Sequence, residues 1–456
     1  MFSRLRSSRR LRWGVGVGAA VLLLIVAAVI FLLTREQGNV SNPRVPFQAA
    51  PAPPPPKPKR QTADFTWPFY GYDKARTHVF AVAPPFRPPF KVRWVLRGRQ
   101  LIEFTPVLGG RSLFLLKNNA ALYALSRRTG RVRWKRHLGN LAASSPAYAH
   151  GTLYVTTLQR APGVNAGRIV AVSAKDGHTK WSMPLPSRSE SSPLVDKGTV
   201  FFGSENGTVY ALRARDGFVR WRYHAGGAVK AGLALDGHGR LFFGDYSGHV
   251  QAIRESNGSL IWRRGTSGGA FGFSSGNFYA TPAVAYGRVY LGNTDGNVYS
   301  YATLDGALAW RTHTGNYVYS SAAVGQVGGT PPTVYVGSYD GTMYAIDARS
   351  GRIRWSRGVQ GQISGGVQVL GDLVFYSTLN HYTGALGAGT GKTIWTVHKG
   401  AFNPVVTDGR FIFLNGYTNL YAFSTGRSEK AAKSSVRRGH RRAARRKHAH
   451  HRRRHR

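Results

Sequence analysis

The chain has 456 residues, carries 63 Lys/Arg against 19 Asp/Glu, and holds no cysteine. The missing cysteine excludes disulfides, thiolate metal sites, cysteine nucleophiles and haem attachment through C-x-x-C-H. The formal charge of +44 implies anionic partners such as phospholipid surfaces, wall polymers or nucleic acid.

Charge is densest at the two ends. Residues 1–60 carry ten Lys/Arg against one Glu, and residues 427–456 carry fourteen against one. The N-terminal segment 1–12 is basic through Arg4, Arg6, Arg9, Arg10 and Arg12. From Trp13 to Leu33 no side chain is charged. A helix over 13–33 crosses a hydrocarbon core of about 30 Å. The positive-inside rule then places the N-terminus in the cytoplasm and everything after Thr34 outside. The competing reading is a cleaved signal peptide. Its apolar region would be about 7–15 residues with an A-x-A site behind it, and the run here ends Phe31-Leu32-Leu33-Thr34-Arg35. The expectation is an uncleaved single-pass anchor in the cell membrane. Residues 34–61 follow as a linker; 43–60 contain eight prolines, which favours an extended spacer reaching about 50 Å.

A repeat begins beyond the linker. Tryptophans fall at Trp94, Trp134, Trp181, Trp221, Trp262, Trp310, Trp355 and Trp395, 40 to 48 residues apart. That interval is the size of a four-stranded propeller blade. Seven of the eight have a glycine four residues earlier: Gly130, Gly177, Gly217, Gly258, Gly306, Gly351 and Gly391. Glycine takes φ > 0 in a tight turn without steric cost. Alternating strands precede these turns, as in Thr208-Val209-Tyr210-Ala211-Leu212, and further hairpins precede those at Asn206-Gly207, Asp295-Gly296 and Asp340-Gly341. Trp94 has no repeat strands before it, and the last copy, ending at Gly426, has no tryptophan after it. The Trp94 strand is therefore expected to complete the last blade. Closing the ring this way leaves no open sheet. The predicted fold class is all-β: an eight-bladed β-propeller over residues 62–426, behind one transmembrane helix and before a disordered tail. The eight tryptophans are read as structural, packed between blades.

Phrases such as "YALRARDGFVRW" and "YAIDARSGRIRW", with the lead-in "WPFYGYDKARTH" at residues 67–78, resemble the tryptophan-docking propeller of the PQQ-repeat family. The resemblance spans 67–426 and implies one of two roles. Quinoprotein dehydrogenases of the family oxidise alcohols or sugars with PQQ and calcium. A BamB-like branch binds partner proteins and does no chemistry. The dehydrogenases bind PQQ against a ring of two adjacent disulfide-linked cysteines and carry long insertions that supply calcium ligands and the catalytic base. This chain has no cysteine and near-minimal blades. Calcium needs six to eight converging oxygens, and the carboxylates here fall at turn tips. The expectation is a binding or scaffolding module without catalytic, cofactor or metal residues. The alternative is a PQQ-dependent dehydrogenase-like oxidoreductase.

Two motifs are set aside. Gly387-Ala388-Gly389-Thr390-Gly391-Lys392-Thr393 imitates a phosphate loop, but the position needing the first glycine is Leu386, and the segment coincides with a blade turn. His137, His224, His313 and His398 lack metal-site spacing.

The longer blades 2, 5 and 6 place extra residues at 158–167, 266–279 and 325–332, and loops on a rigid scaffold tend to carry binding. The aromatics there or nearby, Phe271, Phe273, Phe278, Tyr279, Tyr317 and Tyr319, are the candidate partner-binding residues. The tail 427–456 is expected to be disordered and to bind polyanions. Its place outside the cell favours wall polymers or lipid headgroups over nucleic acid.

Overall fold

The computed structural model describes residues 19–27, 38–48, 65–80, 86–159, 166–266 and 276–425. The basic tail, most of the proline-rich stretch and both ends of the apolar segment lie outside the described residues. Residues 19–27 are helical, with Leu22, Leu23 and Leu24 exposed. Among the described residues no helix is long and apolar enough to cross a membrane.

Eight antiparallel sheets form the propeller. Blade 1 is representative: an inner strand Val107–Gly109, then Ser112–Leu116, Ala121–Ser126 and an outer strand Val132–His137. The two middle strands of each blade are almost wholly buried between neighbouring blades, which explains their apolar, β-branched and aromatic content. The ring closes as the repeat predicted. Phe90–Leu96 pairs with Asn419–Thr425, setting Trp94 opposite Ala422, and forms the outer strand of blade 8.

Seven of the eight repeat tryptophans fasten their blade to the next by one shared contact, while Trp395 packs against Phe90 and Phe423. The indole N–H of Trp94 donates to the Arg127 carbonyl (3.0 Å), that of Trp181 to Ala214 (2.9 Å), and that of Trp310 to Ala348 (3.0 Å). Trp134, Trp221, Trp262 and Trp355 repeat the contact. The ring lies on the turn glycine of the following blade. Gly217 has φ +76, and a Cβ there would stand 2.7 Å from the Trp181 ring. Glycine is thus needed twice, for its backbone conformation and for its missing side chain.

The lead-in is the part of the fold that the repeat alone does not contain. Residues 65–80 cross the central channel, and their carbonyls serve the same position of successive inner strands. Pro68, Lys74, Ala75, Thr77 and His78 accept from the N–H groups of Tyr148, Leu235, Val284, Val324 and Val369, all at 2.8–2.9 Å. Trp67 exchanges two hydrogen bonds with Leu108. Arg76 is fully buried in this plug and donates to the carbonyls of Tyr70, Ser192, Pro193 and Leu233. Val79–Phe80 then adds a parallel strand to blade 7.

The segment read as spacer also begins differently from that reading. Residues 38–48 are strapped to blade 5: Val40–Ser41 pairs with the outer strand Leu308–His313, and Val45 is buried. Arg288 holds the strap by donating to the Val45 and Pro46 carbonyls at 2.8 and 3.1 Å. An apolar Val45 and a stacked Phe47–Tyr286 pair outweigh the extended preference of the nearby prolines.

Trp310→Ala removes a fully buried indole and is expected to cost about 3–5 kcal/mol. Gly217→Ala should cost about 1–3 kcal/mol through its strained backbone alone. Leu304→Ala, at a side chain 73% exposed, should stay within about 0.5 kcal/mol. Urea unfolding curves would measure all three; equal midpoints for the Trp310 and Leu304 variants would remove the docking contact from its structural role.

Candidate functional site: a plugged, tyrosine-rimmed cup

Because the strands run up and down, the connections alternate between two rims. One rim carries the turns into the inner strands and the hairpins at Asn206–Gly207, Asp295–Gly296 and Asp340–Gly341. The other carries the tryptophan-docking turns. At the first rim the channel opens as a cup, floored by the plug.

Each turn into an inner strand delivers side chains from the same repeat positions. Glu103, Glu190, Lys230, Tyr279, Tyr319, Ser364 and Phe402 line the cup. Two residues further on, small hydroxyls join blade to blade. Ser192 Oγ accepts from the Ser145 N–H (3.0 Å), Thr281 Oγ1 from Gly232 N–H (3.0 Å), and Ser321 Oγ from Thr281 N–H (3.1 Å). Tyr70 rises from the plug, and its hydroxyl donates to Asn403 Oδ1 at 3.0 Å and lies 3.2 Å from the Ser321 hydroxyl. Burial pushes this phenol up to about 12, so it stays protonated as a donor.

The charges of the cup are segregated. Lys230 Nζ lies 3.1 Å from both Glu190 and Glu205 and 5.5 Å above the Tyr246 ring. Burial raises the Glu190 carboxyl, opposed by Lys230 and reinforced by Glu205. Glu103, across the cup, accepts a 2.9 Å hydrogen bond from Asn118 Nδ2, and burial raises its carboxyl too.

Tyrosines form a continuous run over blades 4 to 6. Tyr246 packs on Tyr279 (6.2 Å between ring centres), Tyr279 on Tyr319 (5.5 Å), and Tyr319 on Tyr317 (6.0 Å) and Tyr339 (5.0 Å). Tyr279 is nearly engulfed, and burial holds its hydroxyl well above the usual phenol range. Tyr317 is 49% exposed and forms the outer edge of the run.

Of the candidate aromatics, then, Tyr279, Tyr317 and Tyr319 converge on one surface. Phe278 does not. It is fully buried, stands edge-on to Tyr299 at 5.8 Å, and fills the space left by the absent Cβ of Gly244. A phenylalanine one residue before a cup-lining position points the opposite way because side chains alternate along extended chain. Phe271 and Phe273 lie outside the described residues. The 325–332 loop belongs to the opposite rim, since it joins the first two strands of blade 6, Ala323–Gly325 and Thr333–Gly337. Glu103, Glu190, Lys230 and Tyr70 were not singled out from sequence. For Glu103 and Glu190 the signal was the recurrence of Glu103-Phe104-Thr105-Pro106, Glu190-Ser191-Ser192-Pro193 and Tyr279-Ala280-Thr281-Pro282 at one repeat position; Lys230 and Tyr70 lie outside that pattern.

The family model described as outer membrane protein assembly factor BamB matches residues 91–228 and 224–433. The chain belongs to that family. No curated protein matches it. Among solved structures, BamB from Moraxella catarrhalis is similar with a TM-score of 0.59 at 15% identity, covering 74% of this chain and 99% of that one. A europium-containing methanol dehydrogenase gives 0.66 at 14%, covering 80% and 98%. A quinohemoprotein alcohol dehydrogenase from Comamonas testosteroni gives 0.63 at 15%, covering 79% and 80%. At such identities the likeness establishes the fold shared with BamB and with the dehydrogenases, and no more.

The cup of this BamB-family propeller is small. The cavity is about 60 Å³, against roughly 300–1,000 Å³ for pockets that hold drug-sized molecules. Among the described residues no three carboxylate or imidazole side chains come together as a metal site, and the only ammonium in the cup is already paired with Glu190 and Glu205.

Glu103→Gln tests the electrostatics of the cup. A carboxyl raised on folding binds its proton more tightly in the native state, so its ionisation lowers stability as pH rises above the ordinary value of 4.5. The variant is expected to melt above wild type at pH 7, with the gap closing as pH falls toward 4.5. A gap independent of pH would mean that Glu103 is not held up by burial.

Proposed function

We propose that this propeller is an extracytoplasmic scaffold, anchored by residues 13–33, that binds a partner polypeptide of the cell envelope at the tyrosine rim of its cup. The observation that carries the reading is the rim itself. Five packed tyrosines, rigidly supported by blades 4 to 6, form one side of a cup too small for a drug-sized ligand, with Tyr279 and Tyr319 lining it. Tyrosine offers large contact area at low entropic cost with a hydroxyl left for hydrogen bonding, which suits protein contacts. A floor closed by the plug makes the cup a recess for a side chain or a chain end. The family's description as an assembly factor of outer membrane proteins agrees with a protein-binding role in this coarse sense. The anchor, the cytoplasmic N-terminus and a tail at 427–456 that holds anionic wall polymers or lipid headgroups belong to the same proposal. The dehydrogenase reading keeps only the shared fold in its favour.

The test is photo-crosslinking in intact cells from a probe at position 317, with three forms of the chain. A discrete set of partners should appear with the full chain, persist when residues 427–456 are removed, and disappear with Tyr279→Ala/Tyr319→Ala. Capture that needs the tail and vanishes at moderate salt, indifferent to the tyrosines, would reduce the protein to an electrostatic tether.

A further inference from the structure

The outer strands differ from the rest of the propeller in charge. Across the eight of them there are thirteen Lys/Arg and no Asp or Glu. All the carboxylates of the blades lie elsewhere, chiefly in turns. The pattern is local as well as overall: basic residues flank the docking tryptophan, as in Arg133-Trp134-Lys135 and Arg220-Trp221-Arg222. The indole turns inward to the next blade. Residues one step either side point to the opposite sheet face, which puts pairs such as Arg133 and Lys135 side by side at a spacing of about 7 Å along the strand.

Lys91, Arg133, Lys135, Lys180, Arg220 and Arg222 are exposed and run without a break over blades 8, 1, 2 and 3. Their contacts are with neutral groups. Arg133 donates to Ser112 Oγ and Lys180 to Thr152 Oγ1, while Lys135 and Arg222 lie over Tyr123 and Tyr210. Among the described residues none of the six meets a carboxylate, although carboxylates pair elsewhere, as Asp216 does with Arg213 and Glu205 with Lys230. Where the strap covers the edge of blade 5, the outer strand has a single basic residue, Arg311, and it is buried. The outer strand of blade 7, Thr393–Val397, carries none, so the six cations form an arc over blades 8, 1, 2 and 3.

We infer that this belt is a binding surface for a linear, flexible phosphodiester polymer, which follows the circumference from blade to blade. The belt's shape selects the partner. A flat bilayer touches a convex ring at one or two blades, leaving most of the cations unused. Duplex DNA is stiff over about 150 base pairs and resists wrapping a single small domain. A flexible single chain of phosphodiesters meets successive pairs at little bending cost and releases counterions at each contact. The belt is distinct from the tyrosine rim, so polymer and polypeptide can be held at once, and the inference stands whether or not the rim binds a protein.

The experiment measures binding of the purified full chain to poly(glycerol phosphate) as a function of salt. Two variants keep the tail intact and lose the same charge. One replaces the six belt residues named above by Ser; the other replaces Arg111, Arg128, Arg131, Lys175, Arg352 and Lys392, exposed residues of the opposite-rim turns. For a flexible single chain each lost contact lowers the slope of log affinity against log salt by about 0.7. The belt variant should therefore lose about 4 in slope and the turn variant less than 1. A third variant, with the three belt arginines changed to Lys, should keep the slope and so separates lost charge from lost fold. Equal losses in the belt and turn variants would overturn the inference, as would an unchanged slope with increased aggregation, which would assign the cations to guarding open strand edges. The same slope loss on duplex DNA but not on the polymer, or loss confined to flotation with phosphatidylglycerol vesicles, would overturn the choice of partner.

Discussion

The structure depends on one contact repeated at seven of the eight blade junctions: an indole laid on the bare glycine of the next blade's turn, its N–H bonded to a carbonyl beside it. A blade of four short strands buries too little alone, and each gains stability by covering its neighbour. The indole supplies apolar area and a directed hydrogen bond together, which fixes both distance and rotation between blades. Closure by Phe90–Leu96 extends this to the last blade, because Trp94 belongs to blade 8 and docks on blade 1. Chain ends thus meet within one sheet, and neither open edge of an unfinished ring remains.

The plug converts a hollow ring into a cup. Its carbonyls bond one equivalent N–H in each of six blades, and Arg76 gathers four further carbonyls that would otherwise face one another across a narrow space. Desolvation lowers this guanidinium to about 10, so it remains charged at neutral pH. Next to it His78 is driven down to about 3 by burial and stays neutral. The floor of the cup is therefore fixed in both shape and protonation over the physiological range, and what varies around it is the ring of side chains delivered by the turns.

Charge is laid out by element. Carboxylates of the blades lie in turns on both rims, among them Glu103, Glu190 and Glu205 at the cup, while the outer strands carry Lys and Arg with no Asp or Glu. The strap at 38–48 lies at blade 5, outside the belt, where Arg311 donates to the Gly38 carbonyl.

The sequence by itself determined the propeller. Eight tryptophans in register, turn glycines four residues before seven of them, and alternating strands between them leave one arrangement that buries every apolar face, and the missing tryptophan after Gly426 with the orphan Trp94 strand already demanded closure. Three of the four candidate aromatics within the described residues, Tyr279, Tyr317 and Tyr319, were legible as loop residues near one another in number. Tertiary structure alone decided which of them meet. It turned Phe278 into the core, moved 325–332 to the far rim, and brought Glu103 and Glu190 to the cup of Tyr279 from turns far away in the chain. It also showed that each turn glycine serves the tryptophan of the preceding blade, not the one four residues ahead. The reason is physical. Periodicity reports which face of a strand is buried, a local property set by the chain's own geometry, whereas the radius at which a side chain ends up depends on how eight blades close around an axis.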